Sequence, residues 1–362
     1  MAAIKDVVTG HYRIPLNPPL SDSTHGMITA FEIVTVRMRD ADGAEGVGYT
    51  YTTGHNGAAI AATVRAEIAP LVTGQDADLV EALWTRVWWG LHYGGRGGAA
   101  VLAQSAFDIA LHDLRAVRAK TPLWKMLGGN DARVPVYMGG VDLHLTPDEL
   151  VKQNEKNLAK GFRALKIKVG HEKVSEDVAR ISAMRQFLGD GFPLMVDANM
   201  KWTADEAIKR ARAFQPYDLV WLEEPTIPDD VAGSARVVRE GGLPVATGEN
   251  FRTLWEFKQM IAAGGVTYPE PDVTNCGGVT VFMKVAHLAE AYNLPVTSHG
   301  AHDITVHLLA ACPNRSYLET HSFGLNEFIA EPLKIVDGLA VAGDKPGHGM
   351  AFDWKGLEKL AQ

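Results

Sequence analysis

Short apolar segments alternate with amphipathic helical segments over most of the chain from Val134 onward. The apolar runs are VPVYM, ALKIKV, PLMVD, DLVWLE, PVATGE, VTYPEPD, PVTSH and SYLET. Short runs of this kind are typical of buried strands, and their alternation with helices favours parallel strands joined by right-handed crossovers. Eight such strands with about seven helices predict an α/β fold, a modified (β/α)₇β TIM-type barrel.

Helix-start signals support this interpretation. Thr146 and Glu149 frame a capping box with Pro147 at the first helical position, and Thr203 with Glu206 repeats the box. An open, doubly wound sheet is the structural alternative. It is weakened because no G-x-G-x-x-G motif follows a strand.

The first part of the chain has a different pattern. Two strand-like runs, FEIVTVRMRD and AEGVGYTY, flank a turn at Asp42-Gly43, which predicts a hairpin. Helices are expected over 58–71 and 98–119. We therefore expect an α+β capping domain over residues 1–125 and a catalytic barrel domain over residues 126–336.

Composition narrows the class of protein. The chain has 362 residues, of which 46% are hydrophobic, and a formal net charge of −8. No run of Lys and Arg suits nucleic acid or an anionic membrane, and no apolar stretch is long enough to span one. Two cysteines, Cys276 and Cys312, are too few for a disulfide framework. The first residues lack an apolar signal region, so we expect a cytoplasmic protein with a small-molecule partner.

Each strand of the predicted barrel from the second onward ends in ionisable side chains. They are Lys166 with Lys168, Asp197, Glu223, Glu249, Asp272, His299 and Glu319. From Lys168 onward they are 29, 26, 26, 23, 27 and 20 residues apart, about one strand–helix unit each time. A single acid in such a place is usually a solvated loop residue, but seven successive strands ending this way predict one shared rim. In barrels of this type the active site lies at that rim.

Three acids, Asp197, Glu223 and Glu249, end consecutive predicted strands. Converging carboxylates repel one another without a cation, and a small set of oxygen ligands suits Mg²⁺, with Mn²⁺ also acceptable. Neither cysteine is needed, which argues against structural zinc. The adjacent Glu224 should face the other side of its strand.

A possible acid/base pair ends two neighbouring strands, Asp272 and His299. A carboxylate that accepts a hydrogen bond from imidazole fixes its tautomer and raises its basicity. A lone histidine is more often a core residue, but the neighbouring acid and metal site favour the catalytic interpretation. Glu319 could donate a hydrogen bond to a developing oxyanion if its pKa were raised.

Two lysines lie one residue apart in ALKIKVG, so Lys166 and Lys168 should share a strand face, ~6.6 Å apart. At an effective dielectric near 20 their repulsion is about 2.5 kcal/mol, equivalent to about 2 pKa units. A nearby dication would lower the lysine pKa further, so we expect one lysine to be neutral and to act as a base, opposite His299. The other would neutralise a substrate carboxylate. This geometry favours abstraction of an α-proton with a metal-stabilised enediolate.

Together these features resemble the enolase superfamily, and within it the mandelate racemase subgroup. The matching motifs are KIK at 166–168, DAN at 197–199, EEP at 223–225, GEN at 248–250, PD at 271–272, SH at 298–299 and LE at 318–319. The resemblance covers essentially the whole chain. It implies a C-terminal tail, residues 337–362, that returns to the cap, and a homo-oligomer of two to eight copies.

The resemblance also implies a role for each motif. Mg²⁺ would lie on the three acids that end consecutive strands. The two acid/base groups would be Lys168 and the His299–Asp272 pair. The remaining implied roles are neutralisation of the substrate carboxylate by Lys166, a hydrogen bond to the enolate from Glu319, and substrate contact by Asn199.

Substrate selection is expected in the cap loops at 20–29 and 49–58. They supply His25 and Tyr51, and His144 follows the first barrel strand. This polar lining favours a polyhydroxylated acid, and the cap segments resemble acid-sugar dehydratases and 3,6-anhydro-L-galactonate cycloisomerases. We therefore expect dehydration or cycloisomerisation of a sugar acid. Many relatives have a glutamine where this chain has Glu270. This extra acid either alters the pKa of the Asp272–His299 pair or faces the helices.

Two alternatives remain. Within the family, the chain could be a racemase or epimerase of a small α-substituted acid, mandelate-like or a proline derivative. Outside enzymes, it could be a non-catalytic binding protein on the same fold. That alternative predicts the loss of a metal carboxylate or a base, and none is missing here.

Overall fold

The cap begins with a three-stranded antiparallel sheet in the computed structural model, which describes residues 3–321 and 325–362. Its strands, in spatial order, are β1 (Ile4–Asp22), β2 (Gly26–Asp40) and β3 (Glu45–Thr52). At the β2–β3 turn the Asp40 carboxylate accepts hydrogen bonds from the backbone N–H groups of Asp42 (3.0 Å) and Ala44 (2.9 Å). The predicted hairpin is confirmed.

Five α-helices of the cap follow this sheet. They are α1 (Gly57–Thr63), α2 (Ala69–Val72), α3 (Val80–Leu91), α4 (Gly98–Arg118) and α5 (Leu123–Met126). A π-helical turn over Val64–Ile68 joins α1 to α2, so the predicted helix at 58–71 is one segment of changing pitch. The helix predicted at 98–119 is confirmed as α4, whereas α3 was not predicted. At Gly48 of β3 a Cβ atom would lie 2.2 Å from the Ala106 carbonyl oxygen, so glycine allows α4 to pack directly on the sheet.

Eight parallel strands form the barrel. They are β4 (Arg133–Gly139), β5 (Leu165–Lys168), β6 (Leu194–Asp197), β7 (Leu222–Glu223), β8 (Val245–Thr247), β9 (Tyr268–Pro269), β10 (Val296–Ser298) and β11 (Arg315–Thr320). Seven helices alternate with them: α6 (Pro147–Ala159), α7 (Val174–Leu188), α8 (Ala204–Phe214), α9 (Val231–Gly241), α10 (Leu254–Ala262), α11 (Val279–Ala291) and α12 (His302–Ala311). The fold is the predicted (β/α)₇β barrel with an α+β cap.

The barrel is nearly closed. The pairing runs β10-β11-β4-β5-β6-β7-β8-β9, and a hydrogen bond from His299 N to Pro271 O (3.4 Å) joins the segments just beyond β9 and β10. Inside, Tyr137 and Trp221 meet edge to face with ring centroids 5.5 Å apart. These aromatic rings fill the barrel beneath the strand ends, so the polar rim above them rests on a packed floor.

One predicted capping box is complete and the other is half formed. Glu149 accepts a hydrogen bond from Thr146 N (2.9 Å), and Thr146 Oγ1 accepts one from Glu149 N (3.4 Å). Thr203 Oγ1 likewise accepts from Glu206 N (3.4 Å). The Glu206 carboxylate, however, binds Arg210 Nε (2.7 Å) instead of turning back to the cap position.

The C-terminal segment contacts both parts of the molecule. Strands β12 (Ile335–Val336) and β13 (Leu339–Val341) form a small ribbon whose second strand pairs with β4. Farther along, Gln362 N donates to His11 O of the cap sheet (2.9 Å). The exact domain boundaries remain a prediction. None of the helices in the described residues combines the length and apolar character that a membrane crossing requires.

A buried ion pair supports the strand that carries the lysines. Arg180 of α7 is 2% exposed and donates to Lys168 O (3.2 Å) and to the Asp142 carboxylate (3.1 Å). The same carboxylate accepts a hydrogen bond from Lys168 N (3.1 Å). The end of β5 is therefore tied to the loop after β4 through one guanidinium group.

Replacing Arg180 by Met is expected to destabilise the fold by about 3–5 kcal/mol, because it leaves the Asp142 carboxylate buried without its cation. Urea unfolding followed by circular dichroism measures the change. Arg239→Met is the matched control, since that side chain is 66% exposed and should shift stability by less than about 0.5 kcal/mol. Equal unfolding midpoints for the two variants would contradict this account.

Candidate active site

The predicted rim exists: the strands bring the ionisable side chains together at the C-terminal mouth of the barrel. Ligand atoms of Asp197, Glu223 and Glu249 lie within 4.8 Å of one another. The side chains of Asp197 and Glu223 are fully buried, and that of Glu249 is 13% exposed. Converging buried carboxylates need positive charge close by.

The three carboxylates are oriented from below and from the side. Asp197 Oδ1 accepts a hydrogen bond from Asn199 N (2.8 Å), and Glu223 Oε2 accepts one from the indole N–H of Trp221 in the floor (2.9 Å). Within the described residues the buried Glu249 Oε2 makes no hydrogen bond, although it lies 3.3 Å from His299 Nε2. An all-oxygen donor set with an unsatisfied buried oxygen fits a hard divalent cation such as Mg²⁺.

The two lysines of β5 also point into this cluster. Lys166 Nζ pairs with Glu223, lies 2.6 Å from Glu319 Oε1 and 3.5 Å from Asp197 Oδ2. Lys168 Nζ pairs with Asp197. Each ammonium group thus neutralises one of the carboxylates that would ligate a metal.

Among the protein's own groups, the repulsion between the two lysines does not make either of them neutral. Burial alone would lower the pKa of Lys166, but Glu223, Glu319 and Asp197 outweigh it and raise that pKa well above its usual value. Burial and the charge of Lys166 would also lower the pKa of Lys168, yet the carboxylates, Asp197 foremost, raise it. A mutual repulsion of about 2.5 kcal/mol loses to several attractions at shorter range.

Across the mouth from the lysines lies the second predicted acid/base group. His299 Nδ1 lies 2.8 Å from Asp272 Oδ2, and Asp272 Oδ1 accepts hydrogen bonds from Thr274 N and Thr274 Oγ1 (2.7 Å each). Because the carboxylate can only accept, it places the imidazole proton on Nδ1 and turns Nε2 toward the metal carboxylates. Burial would lower the pKa of His299, but Glu249, Glu319 and Asp272 raise it well above its ordinary value.

Tyr51 reaches the site in a way that the sequence did not predict. Its hydroxyl donates to Asp272 Oδ2 (2.7 Å) and lies 3.2 Å from His299 Nδ1. A residue expected to line the substrate pocket is thus hydrogen-bonded to the acid/base pair. The cap strand β3 supplies part of the support of a barrel histidine.

The protein groups around Glu319 do not give it the raised pKa that donating a hydrogen bond to an oxyanion would require. Burial would raise its pKa, but His321 and Lys166 outweigh burial and hold the pKa well below its usual range. His321 Nε2 lies 2.5 Å from Glu319 Oε2, and Gly300 N donates to the same oxygen (3.2 Å). Sequence reasoning missed His321, although its position two residues after Glu319 was a signal.

The structure answers the open question about Glu270. This fully buried side chain faces the barrel interior, where it accepts a hydrogen bond from the Tyr137 hydroxyl (3.0 Å). Burial and the nearby charge of Glu223 raise its pKa well above the usual value. Glu270 therefore belongs to the floor and does not face the outer helices.

Three predicted substrate contacts lie at the rim. Asn199 is 4% exposed, and within the described residues its Oδ1 has no hydrogen-bond partner. His144 Nδ1 lies 2.8 Å from Ser21 Oγ, and His25 Nδ1 lies 2.8 Å from Asp22 Oδ2.

Known families match almost the whole chain. Residues 4–128 match the N-terminal domain of the mandelate racemase / muconate lactonizing enzyme family, and residues 149–356 match the enolase C-terminal domain-like family. The chain belongs to the enolase superfamily. Its motifs, cap and barrel are those that the sequence resemblance implied.

Two members of the enolase superfamily are similar to this chain over most of their length. The chain is 56% identical over 358 residues to the 3,6-anhydro-alpha-L-galactonate cycloisomerase of Streptomyces coelicolor, with 99% of both proteins covered. It is 35% identical over 345 residues to the L-talarate/galactarate dehydratase of Salmonella typhimurium, covering 94% of this chain and 86% of that protein.

Solved superfamily structures agree with this fold. A racemase from Streptomyces coelicolor with bound magnesium superposes with a TM-score of 0.97 at 55% identity, covering 99% of this chain and 100% of that one. The Salmonella typhimurium dehydratase, liganded with Mg and L-lyxarohydroxamate, gives a TM-score of 0.95 at 33% identity, covering 99% and 93%.

Metal binding is expected to need all three carboxylates, because each supplies one oxygen to the same small volume. Single variants Asp197→Asn, Glu223→Gln and Glu249→Gln should each weaken Mg²⁺ binding at least tenfold in isothermal titration calorimetry, with unchanged circular dichroism. Glu290→Gln, on the outer helix α11, is the control and should bind as the parent does. Parent-like affinity in all three variants would place the metal elsewhere.

Proposed function

We propose that the chain is a Mg²⁺-dependent enzyme that removes the proton α to the carboxylate of a sugar acid and then breaks the C–O bond at the β-carbon. When that oxygen belongs to a ring, the product is an isomer and the enzyme is a cycloisomerase. We favour this outcome because the 56%-identical relative is a 3,6-anhydro-alpha-L-galactonate cycloisomerase.

One observation carries the proposal. Two proton-transfer groups lie on opposite sides of the carboxylate trio: Lys168 is paired with Asp197, and His299 Nε2 lies 3.3 Å from Glu249 Oε2. A substrate carboxylate held between these groups would present both faces of its α-carbon to them. Such a pair can remove the α-proton on one face of the substrate and donate or accept a proton on the other face.

The ammonium group of Lys166 and the carboxylate of Glu319 flank the place where the substrate carboxylate would bind. Magnesium, when bound to the three acids, would supply positive charge that offsets the field keeping the lysines protonated and stabilises negative charge on the substrate. Lys166 neutralises the substrate carboxylate. Glu319 is held by Lys166 and His321. Once the enolic oxygen carries a proton, Glu319 accepts a hydrogen bond from it.

The remaining proposed contacts come from the rim and the cap. Asn199, His25 and His144 would bind hydroxyl groups of the substrate, which suits a polyhydroxylated acid. Tyr51 would act on the acid/base pair by orienting Asp272. We also propose that the capping domain ends and the barrel domain begins at about residue 125. The enzyme is proposed to be a homo-oligomer in the cytoplasm.

Two further outcomes use the same first step. Loss of a free β-hydroxyl gives a dehydratase, which the 35%-identical relative favours. Return of the proton to the opposite face gives a racemase, the description carried by one magnesium-containing relative. Incubation with 3,6-anhydro-L-galactonate, galactarate and mandelate in D₂O, followed by NMR, separates ring opening, dehydration and racemisation. Absence of α-exchange and of product with every acid tested would reject the proposal.

Removing either proton-transfer group is expected to lower turnover by about 10²–10⁴-fold, the usual contribution of a positioned acid or base. The variants are Lys168→Ala and His299→Ala, and turnover is measured with the acid that the parent converts. Lys284→Ala is the matched control, since that lysine also pairs with a glutamate, Glu81 of the cap helix α3 (2.7 Å), and its side chain is 40% exposed. If both site variants kept parent-like turnover, these residues would not be the acid/base groups.

A further inference from the structure

The rim loop, residues 21–25, crosses the mouth of the barrel from one strand end to another. At one side Ser21 N donates to Val141 O (3.2 Å), just beyond β4. At the other, Ser23 Oγ donates to Ala198 O (2.6 Å) and Thr24 Oγ1 donates to Asn199 O, just beyond β6. Because β5 lies between β4 and β6, the rim loop passes over the strand that ends in Lys168.

Close packing confirms this path. A Cβ atom on Gly170, two residues after Lys168, would lie 2.6 Å from Cβ of Ser23, so the loop rests directly on the end of β5. Gly170 has a φ of +121°, which favours glycine there on conformational grounds as well. The rim loop is therefore held at three strand ends.

The rim loop carries its own histidine–carboxylate pair. Asp22 is 7% exposed, and its Oδ1 accepts hydrogen bonds from Thr24 N (2.9 Å) and His25 N (2.6 Å). Its Oδ2 lies 2.8 Å from His25 Nδ1, so the imidazole carries a proton on that atom. Among the described residues His25 Nε2 has no protein partner, and the side chain is 43% exposed.

His25 follows directly after Thr24, which is hydrogen-bonded to Asn199 O, and Ser23 packs on Gly170, so the loop places His25 beside the ends of β5 and β6. The hydrogen bond from His25 to Asp22 raises the pKa of His25 above its ordinary value, and the charges of Glu249 and Lys168 act on the same group. Those two residues belong to different strands of the site. The Asp22–His25 pair thus resembles the His299–Asp272 pair in composition, but it approaches from the cap and is open to solvent.

The proposed reaction needs a proton donor at the oxygen that leaves the β-carbon, and the Asp22–His25 pair is placed to supply it. When the Cβ–O bond breaks, its electron pair stays on oxygen, and an alkoxide is a poor leaving group without a proton. We propose that His25 protonates the oxygen that leaves the β-carbon, with Asp22 as its positioning residue. This inference rests on the proposed function, because it assigns a donor to the second half of that reaction.

The step balances without another reagent. A base takes the α-proton, the electrons of the α-C–H bond form the Cα=Cβ bond, and the Cβ–O bond breaks. The departing oxygen receives the proton from His25 Nε2. The product of this elimination is an enol, which tautomerises to the 2-keto acid. Neutral His25 regains a proton from water, to which its side chain is exposed. When the departing oxygen belongs to a ring, it stays attached to the product, and the overall reaction is an isomerisation.

The test compares α-proton exchange with product formation in D₂O, using 3,6-anhydro-L-galactonate or whichever sugar acid the parent converts. In His25→Gln the α-proton is still removed, but the leaving oxygen lacks its donor. Turnover should therefore fall by about 10²-fold or more while deuterium enters the α-carbon of remaining substrate, so the ratio of exchange to turnover rises. Asp22→Asn, which keeps an oxygen for the loop N–H groups, should raise the ratio in the same direction by about tenfold.

The matched control is His287→Gln, since His287 also faces a carboxylate three residues away, Glu290 (3.8 Å), but lies 66% exposed on the outer helix α11. This control should change neither the rate of α-proton exchange nor turnover. Mg²⁺ affinity and the unfolding midpoint should be unaltered in His25→Gln, Asp22→Asn and His287→Gln. Turnover of His25→Gln within threefold of the parent would overturn the inference. So would a parallel loss of exchange and turnover, which would make His25 a binding residue. A parent that neither exchanges nor converts any sugar acid would instead reject the proposed function.

Discussion

Charge balance in a buried space is the constraint on which the active site depends. Lys166 and Lys168 project from one strand face into a cluster of carboxylates that are almost entirely shielded from water. Neither the lysines nor the carboxylates could be buried without the other group, because an isolated buried charge costs several kcal/mol. The lysines and a divalent cation would both interact with the carboxylates of Asp197 and Glu223. The protonation of the lysines therefore depends on how much other positive charge the carboxylates hold.

Two kinds of support hold this cluster in place. From below, Trp221 and Tyr137 fill the barrel and direct an N–H and an O–H at Glu223 and Glu270. From the side, Arg180 ties the end of β5 to the loop after β4. Rigid support matters because proton-transfer geometry must hold to within a fraction of an ångström. Most of the structure around the rim serves this purpose rather than contacting substrate.

Sequence patterns predicted the barrel, the hairpin and the rim, since strand alternation and one ionisable residue per strand end are visible in a linear chain. They did not predict protonation. The lowered lysine pKa was expected from the repulsion between the lysines and from a nearby dication, whereas the opposing attraction of Glu223 and Glu319 depends on distances across the barrel. The same holds for Glu319, whose neighbour His321 lies beyond the matching motif. Contacts between distant segments, such as Tyr51 with Asp272, have no local signal at all.

The hydrogen bond from Tyr51 to Asp272 makes the two parts of the chain interdependent. All three candidate metal ligands come from the barrel, whereas one donor that orients the acid/base pair comes from the cap. A barrel whose cap had shifted by a few ångströms could still gather its carboxylates, yet its histidine would lose an orienting partner. Correct docking of the two parts is thus a condition for catalysis: the acid/base pair is fully oriented only when the cap strand that carries Tyr51 lies against the barrel.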